Sequence, residues 1–417
     1  ALVNLFPNSK KDVSAVELNN AEAMMEYEFT SNLDKLMNPE RPKVAYAIGN
    51  GEPINERTYD LRQLISSNYA FGRYDLSLQK AIPPEINALI IVKPSTQFTD
   101  QEKLKIDQYV MNGGRVLWFI DNLYAEQDSL SYKSKLIAYD RNLNLQDLLF
   151  TYGVRINPDL IMDLQCDFLP FAVGGTASSP QYEFLKWNYY PLFETRNNHI
   201  INKNIGLISG KFVNSIDTVE ANGITKTYLL QSSSNSRTIS TPALISPNEN
   251  RNAPEDALFK MHDIPAAVLL EGSFTSMYTG RIGKAAKDSL NQFGGFKDHS
   301  SPDNKMVVVS DGDIVLNDYS TRQGPLPMGM NLYTVGSQYE YQFANRDFLL
   351  NCLEYVTSKS NIIKTRNKEI VLRLLNVKKV ENEKTKWQLI NIVIPILLII
   401  FAGLIFQQIR RRTYASE

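Results

Sequence analysis

Residues 98–121 read FTDQEKLKIDQYVMNGGRVLWFID, and the fold class follows from this tract. Thr99 with Glu102 three residues on is a capping box: each side chain satisfies a backbone amide that a helix start leaves unpaired. Ile106, Tyr109 and Val110 then share one face of a helix, and Gly113 supplies the left-handed residue that stops it. The run RVLWFI begins two residues later. A continuous apolar strand of this kind suits a sheet buried on both faces, so the tract predicts parallel strands joined by helical crossovers.

Working outward, VAYAI at 44–48 and ALIIV at 88–92 repeat the two-sided apolar strand, with a helix expected near Tyr59–Ser66 and a strand near Tyr74–Leu78. Upstream, residues 15–37 read as a helix with Val16, Met24, Phe29, Leu33 and Leu36 among its apolar positions, and Asn38-Pro39-Glu40-Arg41-Pro42 breaks it. Downstream, QDLLFTYG at 146–153 reads as a short helix ending at glycine, and VRINPDLIMD returns as strand. Residues 166–300 are rich in Ser, Asn, Thr, Pro and Gly, with short β-prone runs ITKTYLL, RTISTPALI and IPAAVLL, which suggests a β-rich insertion. The polar stretch 286–305 reads as an exposed loop. MVVVS at 306–310 resumes the α/β pattern, and a closing helix is expected to start on Asn345 as its cap, with Phe348, Leu349, Cys352, Leu353 and Val356 as its stripe.

The stretch 389–406, LINIVIPILLIIFAGLIF, carries no charge, and Trp387 and Gln388 extend it to 20 residues. At about 1.5 Å per helical residue that spans roughly 30 Å, the thickness of a bilayer hydrocarbon core. Trp387 suits the interface, and Pro395 and Gly403 are tolerated in membrane helices. Arg410, Arg411 and Arg412 favour a cytoplasmic C-terminus, while Arg373, Lys378, Lys379, Lys384 and Lys386 on the other side counter them, so local charge does not orient the span. The opening residues ALVNLFPNSKK contain no signal-peptide pattern and no initiating Met, which reads as a piece of a longer chain. The expected organisation is then 1–42 the end of an N-terminal region with a connector helix, 43–165 and 301–358 the two parts of an α/β domain, 166–300 the insertion, 359–386 a juxtamembrane amphipathic helix, 387–408 the span and 409–417 a cytoplasmic tail.

With 44 basic against 45 acidic residues, the basic ones scattered, no surface tracks a phosphate backbone, and nucleic acid is a poor partner. Gly49-Asn50-Gly51 is a lone GxG without the rest of a dinucleotide or P-loop motif, so the chain should not hydrolyse ATP. Cys166 and Cys352 form no CxxC, and His199, His262 and His299 accompany no nucleophile elbow, so no catalytic residue, cofactor or metal is expected. What does collect after strands is acid. Gly49, Asn50, Gly51 and Glu52, with Asp121, Asp311 and Asp313, would stand on one rim at the carboxyl ends of parallel strands, where ligands of α/β sheets usually bind. Turn chemistry alone accounts for such residues more often. The aromatics of KWNYYPLF at 186–193 could stack on a sugar or a peptide, though a β core explains them more often. Asn345 and Arg346 at a helix start are candidate partner contacts.

The tract 98–121, VVVSDGD at 307–313, NRDFLLNCLEYV at 345–356, and RNKEIVLRLL followed by the apolar span resemble the GldG family, gliding-motility-associated auxiliary and substrate-binding components of ABC transporters in Bacteroidetes. The resemblance implies an inner-membrane protein whose bulk is periplasmic between an N-terminal and a C-terminal span, partnered by a separate permease and a separate ATPase. It implies a central sandwich similar to the class I glutamine amidotransferase-like fold, without that fold's cysteine elbow or its His and Glu partners. Arg373, Trp387, Pro395 and Gly403 would then face the permease or the lipid bilayer. Three functions are compatible with these features: an accessory subunit, a module binding solute, glycan or lipoprotein at the strand-end rim, and a degenerate hydrolase.

Overall fold

Alternation along the central strands builds the main sheet. The computed structural model describes residues 15–37, 40–127, 135–176, 179–194, 197–203, 205–246, 256–283, 287, 290, 294–358 and 377–414. Two units are distinguished, Ala1–Asn8 with Ala23–Lys368, and Ser9–Glu22 with Glu369–Glu417.

In the first unit, β1 (Lys43–Ile48), β2 (Ala70–Asp75), β3 (Ile86–Val92), β4 (Arg115–Phe119), β5 (Ile224–Gln231), β6 (Pro265–Gly272) and β7 (Lys305–Val309) are the strands of one seven-stranded sheet. Their order is β5-β6-β7-β4-β3-β1-β2. β2, β1, β3, β4 and β7 run parallel, and β6 and β5 add antiparallel at one edge. β5 and β6 are the runs ITKTYLL and IPAAVLL, expected within a β-rich insertion. They extend the main sheet instead, because Val268 and Leu270 face one core while Ala267 and Leu269 face the other.

The same period of two runs through the parallel strands. Val44, Tyr46, Ile90, Val92, Leu117, Phe119, Val307 and Val309 pack on one face, and Ala45, Ala47, Leu89, Ile91, Val116, Trp118, Met306 and Val308 on the other. The helices, numbered in chain order, are α1 (Ala15–Met37), α2 (Tyr59–Asn68), α3 (Asp100–Met111), α4 (Gln146–Thr151), α5 (Asn345–Thr357) and α6 (Val377–Tyr414). α2 supplies Leu61, Leu64 and Ile65 to the first face and α5 supplies Phe348, Leu349, Cys352, Leu353 and Val356; α3 and α4 cover the second with Ile106, Tyr109, Val110, Leu148 and Leu149. Each such large apolar side chain contributes about 1.5–3 kcal/mol by leaving water.

The capping box at Thr99 and Glu102 closes as the sequence predicts, with Thr99 N–H donating to Glu102 Oε2 over 2.8 Å. Gly113 takes φ +94°. The second expected strand lies earlier than its apolar residues suggest, at Ala70–Asp75, where it pairs with β1. In α1, the expected connector helix, the apolar Phe29, Leu33 and Leu36 are exposed, and Tyr27 and Ser31 are buried.

A third core lies under the strands Cys166–Thr176 and Ser179–Phe193, which pair antiparallel. Trp187, Tyr189 and Tyr190 are each about 1% exposed within it, packed with Phe171 and Phe212. The KWNYYPLF aromatics are therefore core and offer no stacking platform.

In the second unit, α6 is one continuous helix of 38 residues with Pro395 inside it. Its stretch Glu383–Tyr414 has mean hydropathy 2.9 in its most apolar window and is long and apolar enough to cross a membrane. The helix continues past residue 408, into the expected tail, and Trp387 Nε1 donates to Glu383 one turn earlier over 3.0 Å. Arg373 lies outside the described residues.

Candidate functional site

The carboxyl ends of β3, β4 and β7 bring together side chains that are far apart in sequence. Lys93 follows β3 directly, in a left-handed backbone conformation (φ +47°) that costs a residue with a Cβ. Its ammonium, 5% exposed, meets Asp313 Oδ2 at 2.6 Å, Asp121 Oδ2 at 3.0 Å and Glu126 Oε2 at 3.1 Å. Arg57 reaches Asp313 Oδ1 at 2.7 Å, and Arg141 reaches Glu126 Oε1 at 2.7 Å. Backbone amides complete the carboxylates. Gly312 N–H donates to Asp121 Oδ1 over 2.6 Å, and Asp311 accepts from Asp313 N–H and Lys211 N–H, each at 2.7 Å.

Glycine at 312 is required by space: a Cβ there would stand 2.6 Å from the Cβ of Lys93. Beside the cluster Lys211 Nζ bridges both oxygens of Asp318, at 2.7 and 2.8 Å.

Burial alone would lower the Lys93 pKa, but Asp121, Asp313 and Glu126 outweigh it and raise it. Burial likewise pushes Asp313 up, and Lys93, Arg57 and Lys211 overcome this and hold it well below the usual carboxylate range. Asp311 goes the other way: burial, then the neighbouring Asp121 and Asp313, push it well up. The expected rim residues Asp121, Asp311 and Asp313 thus do converge, but Asp121 and Asp313 meet cations of the same chain and Asp311 meets backbone amides. The cleft left between Lys211, Asp313, Asn331 and Asn345 holds about 10 Å³, no more than one water needs. This corner is a filled electrostatic lock.

Gly49–Glu52 lies apart from the lock, after β1 and beside the loop that follows β3. The strand order turns here, β1 passing to β2 on one side and β3 on the other, which makes it the switch point of the parallel sheet. Gly49 and Gly51 take φ +120° and +77°. Ser95 and Thr96 N–H both donate to Asn50 O, at 2.9 and 3.0 Å. Asn50 N–H donates to Glu52 Oε2 over 2.8 Å, and Asn50 Nδ2 to Glu102 Oε2 over 3.2 Å. Two oxygens remain: Asn50 Oδ1 and Glu52 Oε1 are buried and have no hydrogen-bond partner. Burial pushes Glu52 up to about 7, the amides of Glu52 and Asn50 working against this and the carboxylates of Glu102 and Asp75 adding to it.

Asn345 is not the cap expected of it. Ala344 holds that position and makes no side-chain bond. The Asn345 amide is instead a buried staple, accepting from Ser209 N–H at 2.9 Å and donating to Ser209 O at 2.8 Å and Ile314 O at 2.9 Å. Arg346 pairs within the chain to Asp60 at 3.1 Å. In α6 nothing lies within 4 Å of where a Cβ on Gly403 would point.

Of the hydroxyls and thiols, Thr275 Oγ1 lies 3.2 Å from His299 Nδ1 at an exposed position. Cys166 and Cys352 are buried, and burial pushes the Cys166 thiol up to about 12 and the Cys352 thiol higher still. Ser276 donates to Asp107 over 2.6 Å, but Asp107 also accepts from Tyr152 and Met277 N–H, a buried anchor for α3 with no imidazole on it. No group of three or more His, Cys, Asp or Glu that could hold a metal ion occurs among the described residues. Sequence reasoning missed Lys93, Arg57, Glu126 and Lys211. A signal for Lys93 does exist in the sequence, since a lysine directly ending the apolar strand INALIIV needs a buried counter-charge.

A family model described as "ABC-type uncharacterized transport system" matches residues 41–352. No curated protein matches. Among solved structures, the mmIFT52 N-terminal domain is 13% identical with a TM-score of 0.40, covering 76% of this chain and 98% of that one. The exo-beta-1,4-mannosidase Op5Man5 from Opitutaceae bacterium strain TAV5 is 11% identical with a TM-score of 0.24, covering 70% of this chain and 34% of that one. Likenesses at these scores say nothing of function.

Proposed function

The chain belongs to the ABC-type uncharacterized transport system family, whose members are ABC-transporter auxiliary proteins and no enzyme class, and from that premise we propose that it is a non-enzymatic accessory subunit working with a separate permease and a separate ATPase. In this reading α6 anchors it in a bacterial inner membrane, the first unit lies in the periplasm, and the short C-terminal tail is cytoplasmic. The system served is gliding motility or cell-envelope export, as the GldG resemblance implies. The order β2-β1-β3-β4-β7 of the parallel strands is in keeping with an amidotransferase-like sandwich turned to a non-catalytic use.

The observation that carries this reading is the filled rim. At the carboxyl ends of β3, β4 and β7, on the side of the sheet where α/β proteins bind ligands, Lys93 and Arg57 already occupy the carboxylates of Asp121, Glu126 and Asp313. A body closed there acts through its surfaces and its anchor. Isolation of the full chain in mild detergent after crosslinking in cells tests this: the permease and ATPase of one ABC system are expected to accompany it. Recovery of the chain without either, from cells expressing all three, would count decisively against the proposal.

A further inference from the structure

Asn50 and Glu52 present a hydrogen-bond problem that the rest of the loop does not solve. Asn50 is 2% exposed and Glu52 6%, and each keeps one acceptor oxygen, Oδ1 and Oε1, without a donor. A buried acceptor left unpaired is costly, and native structures avoid it. Six donors around the loop serve other acceptors. Asn50 N–H is used on Glu52 Oε2 and Asn50 Nδ2 on Glu102, while Thr99 N–H and Oγ1 also serve Glu102. Ser95 Oγ is used on Gly51 O, and Tyr46 O–H on Pro53 O.

One donor is available that needs no space. A carboxylic acid donates through its own proton. We propose that Glu52 is held as the neutral acid and supplies through Oε1–H the hydrogen bond that Asn50 Oδ1 lacks, so that a single proton latches the loop Gly49–Pro53 at the switch point of the sheet. The groups facing Glu52 favour this state. Glu102 of α3, Asp75 at the end of β2 and the Tyr46 phenol of β1 act on it directly, while Arg62 and Arg73 act on that phenol and Lys105 on Asp75. The pKa of about 7 fits a proton that is held in mildly acidic surroundings and released in mildly alkaline ones. Release puts a second negative carboxylate against the Glu102 carboxylate across the Asn50 amide. Asn50 O is the acceptor for Ser95 and Thr96 N–H, so strain in the loop passes to the start of α3.

Hydrogen–deuterium exchange on the full chain in detergent micelles, corrected for intrinsic rates, reads the latch directly. Between about pH 5.5 and about pH 8.5, protection in peptides covering 44–58 and 93–104 is expected to fall roughly 30-fold, the ratio set by a pKa near 7. Peptides covering 225–231 should stay level. Glu52→Gln, whose amide makes the same donation permanently, should abolish the fall. A wild-type profile without a step, which is decisive even if the variant does not fold, overturns the latch; so does a step that persists in Glu52→Gln. Infrared spectra give a second reading. The wild type minus Glu52→Gln difference at about pH 5.5 should contain a protonated-carboxyl band that disappears by about pH 8.5, and its absence at the lower pH also overturns the proposal.

Discussion

The ammonium of Lys93 lies 2.6 Å from Asp313 Oδ2 across 220 residues of sequence, and this pair ties the end of β3 to the end of β7. Two charges buried together gain little over an apolar pair, but one left alone is expensive. Lys93→Met strands buried Asp121 and leaves Asp313 and Glu126 with only Arg57 and Arg141, and should destabilise the first unit by roughly 3–5 kcal/mol, read as a lowered urea midpoint with an unchanged slope.

Gly312→Ala should act at the same place by a different route. Its Cβ would meet the Lys93 Cβ at 2.6 Å, and both are held by backbone, so neither can rotate away. Overpacking of this kind costs about 1–3 kcal/mol. A thermal midpoint within error of wild type would show that the β3 and β7 ends are less tightly apposed than the lock requires.

Acid should weaken the lock with a definite sign. Although burial pushes Asp313 up, Lys93, Arg57 and Lys211 hold its folded pKa well below the usual value. A depressed carboxylate contributes stability that is fully present above its unfolded pKa, about 3.9, and is lost as pH falls through the folded one. Asp313→Asn should therefore be less stable than wild type at neutral pH, and its thermal midpoint should fall less steeply than that of wild type from about pH 5 to about pH 2.5. Parallel curves would remove Asp313 as the source of the acid dependence.

Asn345→Ala deletes three buried hydrogen bonds at the start of α5. Ser209 N–H, Ser209 O and Ile314 O would be left to compete for partners, a loss of roughly 2–4 kcal/mol. Replacing a mere helix cap would cost about 1 kcal/mol, so the size of the change in denaturant unfolding distinguishes a staple from a cap.

Ile399→Arg places a charge near the middle of the apolar stretch of α6 and should raise the apparent cost of membrane insertion by roughly 2.5–3.5 kcal/mol. Loss of part of the protein from the alkali-resistant membrane fraction is the expected result. Full retention of the variant would argue against α6 as the anchor.

Some of this molecule can be read from short windows of sequence because the interactions concerned are local. A capping box spans four residues, a glycine stop one position, and a two-sided strand five or six, so α3, β1, β3, β4 and β7 were legible. So was the apolar helix, since hydrophobic length alone qualifies it to span a bilayer. Strand partnership was not. Ile224–Gln231 and Pro265–Gly272 look like loop-rich β sequence, and it is antiparallel pairing with each other and with β7 that sets them at the edge of the main sheet.

The rim shows the same division. Asp121, Asp311 and Asp313 could be placed after strands from pattern alone, and a parallel sheet necessarily gathers strand ends on one side. Whether those acids stay open or are filled depends on Lys93, Arg57 and Lys211, which other loops deliver from distant parts of the chain. Side chains so separated meet only once the sheet order is set. Local pattern thus determined which residues form strands, helices and an apolar span, whereas the tertiary fold alone decided that the acidic rim is a lock and that Glu52 is buried beside Glu102 and Asp75, because pairing and burial are properties of neighbours that sequence distance does not reveal.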